Sequence, residues 1–108
     1  MKNDKEKASQ DRLNYCLFPS EDVVERIEMW RSNVSRLPSV SVSEVARNAD
    51  FSDMWEDHVG ERRRWYELTQ MLSDAGWTRK RMRSLFYLDG EYETRVGSRW
   101  FPPTQTQD

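Results

Sequence analysis

Residues 61–101 read ERRRWYELTQMLSDAGWTRKRMRSLFYLDGEYETRVGSRWF, and the punctuation of this stretch decides the fold. Trp65, Leu68, Met71, Leu72 and Ala75 recur at helical spacing, which predicts a helix over about 59–75 with those side chains inward. Gly76 stands where a left-handed C-cap belongs. Residues 77–88 then read as a strand, Asp89-Gly90 is a tight-turn signal, and residues 91–101 return as a second strand. Gly97 is expected to put a bulge into the returning strand, and Pro102-Pro103 stops the pairing.

Upstream, residues 1–14 are polar and of mixed charge, which predicts a disordered arm. The apolar run 15–19 (YCLFP) reads as a strap laid onto the domain. Ser20 is expected to cap a helix over 21–35, with Glu21 and Asp22 favouring its dipole and Val23, Val24, Ile27, Trp30 and Val34 on its apolar side. Leu37-Pro38 closes it, because a residue before proline resists the helical region. Ser43 is expected to cap a second helix, 44–48, that buries Val45 and Ala46. Residues 49–58 form a loop anchored by Phe51, Met54 and Trp55, and residues 104–108 a disordered polar tail. One folded unit therefore spans 15–103.

Helix, link, helix, turn, long helix and hairpin is the order of a winged helix-turn-helix domain: mainly α, three helices plus a two-stranded wing. Four short motifs sharpen that reading. They are Ser41-Val42-Ser43-Glu44-Val45-Ala46, then Leu72-Ser73-Asp74-Ala75-Gly76-Trp77-Thr78-Arg79, then Arg81-Met82-Arg83, and Gly97-Ser98-Arg99-Trp100. Residues 41–101, about 60 of the 108, thereby resemble the C-terminal winged-helix module of phage and plasmid primase-helicases of the virulence-associated E type. The resemblance implies a DNA-binding appendage carried by a phage or other mobile element. It implies no helicase or primase activity, because neither an ATP-binding P-loop nor a primase-type acidic metal site accompanies the module.

The net charge of −2 hides an asymmetry. Residues 1–59 hold eight basic and twelve acidic side chains, residues 60–99 nine and six. A basic end on an acidic body directs an electrostatic footprint to one side. Cys16 is the single cysteine and His58 the single histidine, which leaves no disulfide framework and no ordinary zinc site. No metal or other cofactor is expected. No apolar run reaches membrane-spanning length and no signal segment opens the chain, so a reducing cytoplasm is the expected setting. His58 beside Asp57 has no nucleophile or phosphate cradle near it in sequence, so no enzymatic activity is expected.

The candidate contacts to double-stranded DNA follow from the charge. Arg62, Arg63, Tyr66 and Gln70 are expected on the outward side of the long helix, where arginine can fork onto guanine and glutamine can pair with adenine. Glu67 is expected outward too, against the phosphates. Arg79, Arg81 and Arg83 share one side of the first strand and Lys80 the other, and Arg95 and Arg99 would extend the stripe along the backbone of the duplex. The competing reading pairs these cations with Asp53, Glu56 and Asp57, or uses them to protect a strand edge. Trp30, Trp65 and Trp77 are expected in the core. The chain then acts in transcription regulation or replication. The alternative is a protein-interaction module, such as a phage-encoded inhibitor of a host enzyme or defence complex. A homodimer would form through the first helix and the YCLFP strap.

Overall fold

A computed structural model describes residues 15–88 and 90–103, the side chain of Leu88 excepted. The expected arm 1–14, the tail 104–108 and Asp89 of the turn lie outside the described residues. Among the described residues, three α-helices and one hairpin make up the architecture: α1 (Ser20–Trp30), α2 (Val42–Arg47), α3 (Glu61–Asp74), β1 (Thr78–Leu88) and β2 (Glu91–Phe101). Helices plus one two-stranded antiparallel sheet match the mainly helical class expected from sequence.

Helix α1 starts one residue earlier than expected. Pro19 holds the cap position and Ser20 is already helical. Val23, Ile27 and Trp30 bury one side of it. The helix widens into a π-turn over Arg31–Ser35, and Arg36, at φ 55°, ends it in the left-handed region. Val34, expected inward, is therefore rotated out to solvent.

Helix α2 is capped by Ser41 rather than Ser43. The Ser41 side chain accepts from the backbone of Glu44, while the Ser41 amide donates to Glu44 Oε1 at 3.1 Å, a reciprocal capping box. Ala49–Met54 then forms a 3₁₀ turn that buries Phe51 and Met54, with buried Trp55 directly after it, the three anchors expected. Trp30 packs edge-on against Phe51, ring centroids 5.8 Å apart.

Helix α3 ends as its glycine dictates. The Trp77 amide donates to the Leu72 carbonyl and the Gly76 amide to the Ser73 carbonyl, with Gly76 at φ 90°. This is a Schellman motif, and it turns the chain into β1. The helix is rotated about its axis relative to expectation. Glu67, Leu68, Met71 and Leu72 are buried, whereas Trp65 and Ala75 are exposed. Glu67 faces inward because it secures the strap: its carboxylate accepts from the Tyr15 amide at 3.1 and 3.3 Å. Cys16 bridges to Trp55 and the Leu17 amide donates to the Met54 carbonyl, so the strap runs across the core.

The hairpin pairs without interruption from Thr78↔Phe101 to Leu88↔Glu91, and Gly90 takes φ 91° in the turn. No bulge occurs at Gly97. The ribbon bends instead. Gly97 pairs with Met82, four ladder positions from Phe86, which is about 13 Å along a flat ribbon. Yet the Phe86 ring lies 3.0 Å from where a Gly97 Cβ would stand. Arg99, which pairs with Lys80, likewise reaches the Leu85 carbonyl at 2.6 Å. The hairpin is curved back over the helices rather than projecting. Its far end docks there: Tyr87 packs on Trp30 at 5.7 Å, and the Tyr87 amide donates to Glu44 Oε2 at 2.6 Å.

Candidate nucleic-acid interface

Three consecutive arginines open α3, and a helix sends consecutive positions about 100° apart. Arg64 turns inward: its guanidinium donates to the carbonyls of Val59 and Ala46 and lies 6.0 Å from the Trp55 ring centroid. Arg63 turns toward the strap, stacked at 5.1 Å over Tyr15 and 5.6 Å over Tyr66. Arg62 points to solvent. With it on the exposed ridge stand Trp65 and Tyr66, three and four residues on, 41% and 44% accessible. Gln70 is half-buried. Of the four expected contacts from this helix, Arg62 and Tyr66 are freely presented, Arg63 is held by aromatic partners, and Gln70 is partly withdrawn.

On the hairpin, Arg79, Lys80, Arg81 and Arg83 are all exposed. The register puts Arg79, Arg81 and Arg83 opposite Trp100, Ser98 and Val96, and Lys80 opposite Arg99 on the other side, as the alternation requires. Arg95 is exposed but pairs with Ser84, so it belongs to the Lys80 side and does not lengthen the three-arginine row. Arg79 sits 6.0 Å over the Trp100 ring and Lys80 5.5 Å over Phe101.

Arg99 departs from expectation altogether. It is 0% accessible, and its guanidinium donates to Ser39 Oγ at 2.7 Å, the Ser39 carbonyl at 2.6 Å and the Leu85 carbonyl at 2.6 Å. Its Nη2 also lies 3.5 Å from Glu44 Oε1, whose side chain is equally buried. Arg99 is a structural strut, out of reach of any large ligand. Loss of water pushes the Glu44 carboxyl above its usual range and the Arg99 guanidinium below its own; their mutual attraction opposes both shifts, and the Tyr87 and Ser41 amides oppose that of Glu44.

Several acids pair with cations other than the candidate DNA contacts. Asp53 pairs with Arg26 at 3.0 Å, Glu28 with Arg31 at 2.7 Å, and Glu61 approaches Arg47 at 4.0 Å. Glu56 lies 3.7 Å from His58. Among the described residues, Arg62, Arg81, Arg83 and Arg95 enter no ion pair. Burial also pushes the Glu67 carboxyl up, with the Tyr15 amide and Arg63 opposing the shift, and it points away from the arginine ridge, so the expected repulsion from an outward Glu67 is absent.

Trp65 is the functional candidate that sequence reading assigned to the core. It separates two hollows. One is shared with Glu61, Arg62 and Tyr66 on the helix, the other with Arg79 and Arg95 at the base of the hairpin. Through Trp65 the helical ridge adjoins Arg79 and Arg95 of the hairpin. Its signal in the sequence is the stripe Arg64, Glu67, Leu68, Met71, Leu72, which has the i, i+3, i+4, i+7, i+8 spacing and excludes position 65.

The Cys16 thiol is buried and its pKa is pushed up by loss of water, the opposite of an activated nucleophile. No group of three metal-ligating side chains occurs among the described residues, and no helix there is long and apolar enough to cross a membrane. No protein-family model matches the chain, and neither curated proteins nor solved structures contain a match to it.

Proposed function

We propose that this chain is a non-enzymatic DNA-binding module of winged-helix type that grips a duplex with the Arg62–Tyr66 ridge of α3 and the cations of the hairpin. One observation carries the reading. Arg62, Arg79, Lys80, Arg81, Arg83 and Arg95 are all exposed and none enters an ion pair among the described residues, with the exposed Glu91 and Glu93 standing toward the turn end of the hairpin. Cations held free of carboxylates are available to displace counterions from phosphates, which is the main source of affinity for duplex DNA. In this reading α3 enters the major groove with Arg62 and Tyr66 foremost. The base of the curved hairpin, not its tip, follows the backbone. The resemblance of residues 41–101 to a primase-helicase appendage supports a role in replication or transcription control on a phage or mobile element.

The test is a fluorescence-anisotropy titration of a labelled 20-base-pair duplex between 50 and 200 mM salt. With 4–6 phosphate contacts the affinity falls roughly 10²–10³-fold over that range. Arg81→Glu with Arg83→Glu weakens binding and lowers the salt slope by about two. Absent or salt-insensitive binding ends this reading.

A second reading is favoured by a different surface. Leu17, Met29 and Val34 are each more than half accessible, away from the arginine band, and apolar side chains so presented suit a protein partner or a second copy of the chain. A protein-interaction module, such as an inhibitor of a host enzyme or defence complex, would keep its partner when Arg81 and Arg83 are reversed. It would lose that partner when Met29 and Val34 become serine.

A further inference from the structure

We propose that the cleft between Trp65 and the base of the hairpin receives one unpaired base of a DNA strand, so that duplex bearing a single-stranded tail is preferred to blunt duplex. The inference rests on the DNA-binding reading and specifies its substrate.

Trp65 is the anomaly that starts the argument. Trp30, Trp55, Trp77 and Trp100 are all buried, yet Trp65 keeps a large fraction of its ring in solvent at the edge of the core. Beside it lies a cleft of about 260 Å³. That is just under the ~300–1,000 Å³ typical of drug-sized ligands, which suits one flat ring system and excludes a helix or a folded domain. Phe86 and Trp100 also line the cleft, each with a small part of its surface uncovered. Gly97 lines it too, with the Phe86 ring packed 3.0 Å from where a Cβ would stand.

The charge of the cleft selects the ligand. Arg79 and Arg95 line it, and no carboxylate does. Arg95 has no ion pair among the described residues, and the Arg79 guanidinium contacts the π-face of Trp100. Aromatic walls with cations and no anions are the arrangement that holds single strands: bases stack on the rings and phosphates meet the cations, with little dependence on sequence. Ser43 and Ser98 hydroxyls in the lining can bond to the edge of whichever base enters. Because Trp65 also borders the Arg62–Tyr66 hollow, a strand leaving a duplex on α3 reaches the cleft directly.

The experiment uses the full chain and three labelled probes: a blunt duplex, the same duplex with a four-nucleotide thymidine tail, and the same tail made abasic. The wild type binds the thymidine-tailed probe about tenfold more tightly than the blunt one, and the abasic tail removes that gain while its phosphates remain. Trp65→Ala binds tailed and blunt probes alike. Arg95→Ala halves the logarithm of the tail preference or more and keeps the wild-type thermal midpoint because its side chain is exposed, whereas Trp65→Ala gives up the covered part of its ring and is compared below its own midpoint. Equal wild-type binding of tailed and blunt probes, or a tail preference that survives in Trp65→Ala or with the abasic tail, overturns the inference and leaves the duplex-binding reading standing. Binding to the tail alone with none to blunt duplex overturns the duplex reading and keeps the cleft. Binding to no probe removes both.

Discussion

Replacing Glu44 with glutamine removes one charge from the best-shielded polar cluster in the molecule, and the loss can be worked from its bonds. Glu44 faces Arg99 at 3.5 Å and accepts from the amides of Ser41 and Tyr87. The Arg99 side chain is wholly inaccessible, so no water replaces the lost carboxylate. Breaking a buried pair by removing one partner costs about 3–5 kcal/mol. Glutamine has one acceptor oxygen for two backbone donors, and an unsatisfied buried amide is part of that cost at about 1–3 kcal/mol. Domains of this size are stable by roughly 5–15 kcal/mol in total, so Glu44→Gln removes a large share of it. Arg99→Met alone strands the carboxylate and is expected to cost a similar amount. The double variant Glu44→Gln/Arg99→Met leaves no isolated charge, because the buried pair loses more water than its attraction recovers. Its loss falls short of the sum of the singles by at least about 1.5 kcal/mol. Urea denaturation of the four proteins, followed by circular dichroism, measures this cycle. A Glu44→Gln loss below about 1 kcal/mol, or singles that add to within 0.5 kcal/mol, would refute the reasoning.

Further expectations follow from neighbouring features. Gly97→Ala puts a methyl 3.0 Å from the buried Phe86 ring and costs about 1–3 kcal/mol, recovered in part by Phe86→Leu in the same chain; equal thermal midpoints for wild type and Gly97→Ala contradict the curved ribbon. Gly76→Ala has room for its methyl but must hold φ near 90°, costing about 1 kcal/mol in denaturant midpoint, and an unchanged midpoint argues against the Schellman ending of α3. Glu67 has its folded pKa raised by burial, so its contribution is full below the unfolded carboxyl range near ~4.3 and is lost as pH rises through the folded value. Glu67→Gln is therefore more favourable relative to wild type at pH 7 than at pH 4.5, and paired denaturation curves at the two pH values that show the reverse order dismiss this account of the strap.

Much of the fold was legible because its punctuation is local. Gly76 and the Asp89-Gly90 signal act through backbone conformations that few residues tolerate, so the end of α3 and the pairing of 88 with 91 follow from the letters. Phe51, Met54 and Trp55 were legible as the apolar members of an acidic stretch. The errors share a different cause: polar side chains acting at long range inside the core. Glu67 is inward because it holds the Tyr15 amide 52 residues away, and that rotates Trp65 out. Arg99 is inward because Ser39 and Glu44 meet it from a segment some 60 residues earlier. A lone arginine in a strand carries no mark of such partners. The capping box Ser41-x-x-Glu44 was present in the sequence, but a second serine at 43 offered a competing start. For the candidate surface, the sequence marks where the arginines cluster, while only the rotation of α3 reveals that Trp65 lies beside Arg79 and Arg95.

The curvature of the hairpin also bears on self-association. A lone two-stranded ribbon bares two margins of backbone onto which a foreign extended chain can add. Here Val40 closes the margin of β2 at Trp100, giving and receiving one bond. On β1 the Leu85 carbonyl and the Tyr87 amide are stoppered by Arg99 and Glu44, while residues 79–83 guard the remainder with like charge. The ion pair inside the protein thus doubles as a plug against fibril growth, and any change that loosens it uncovers a template for polymerisation at the same moment that it weakens the fold.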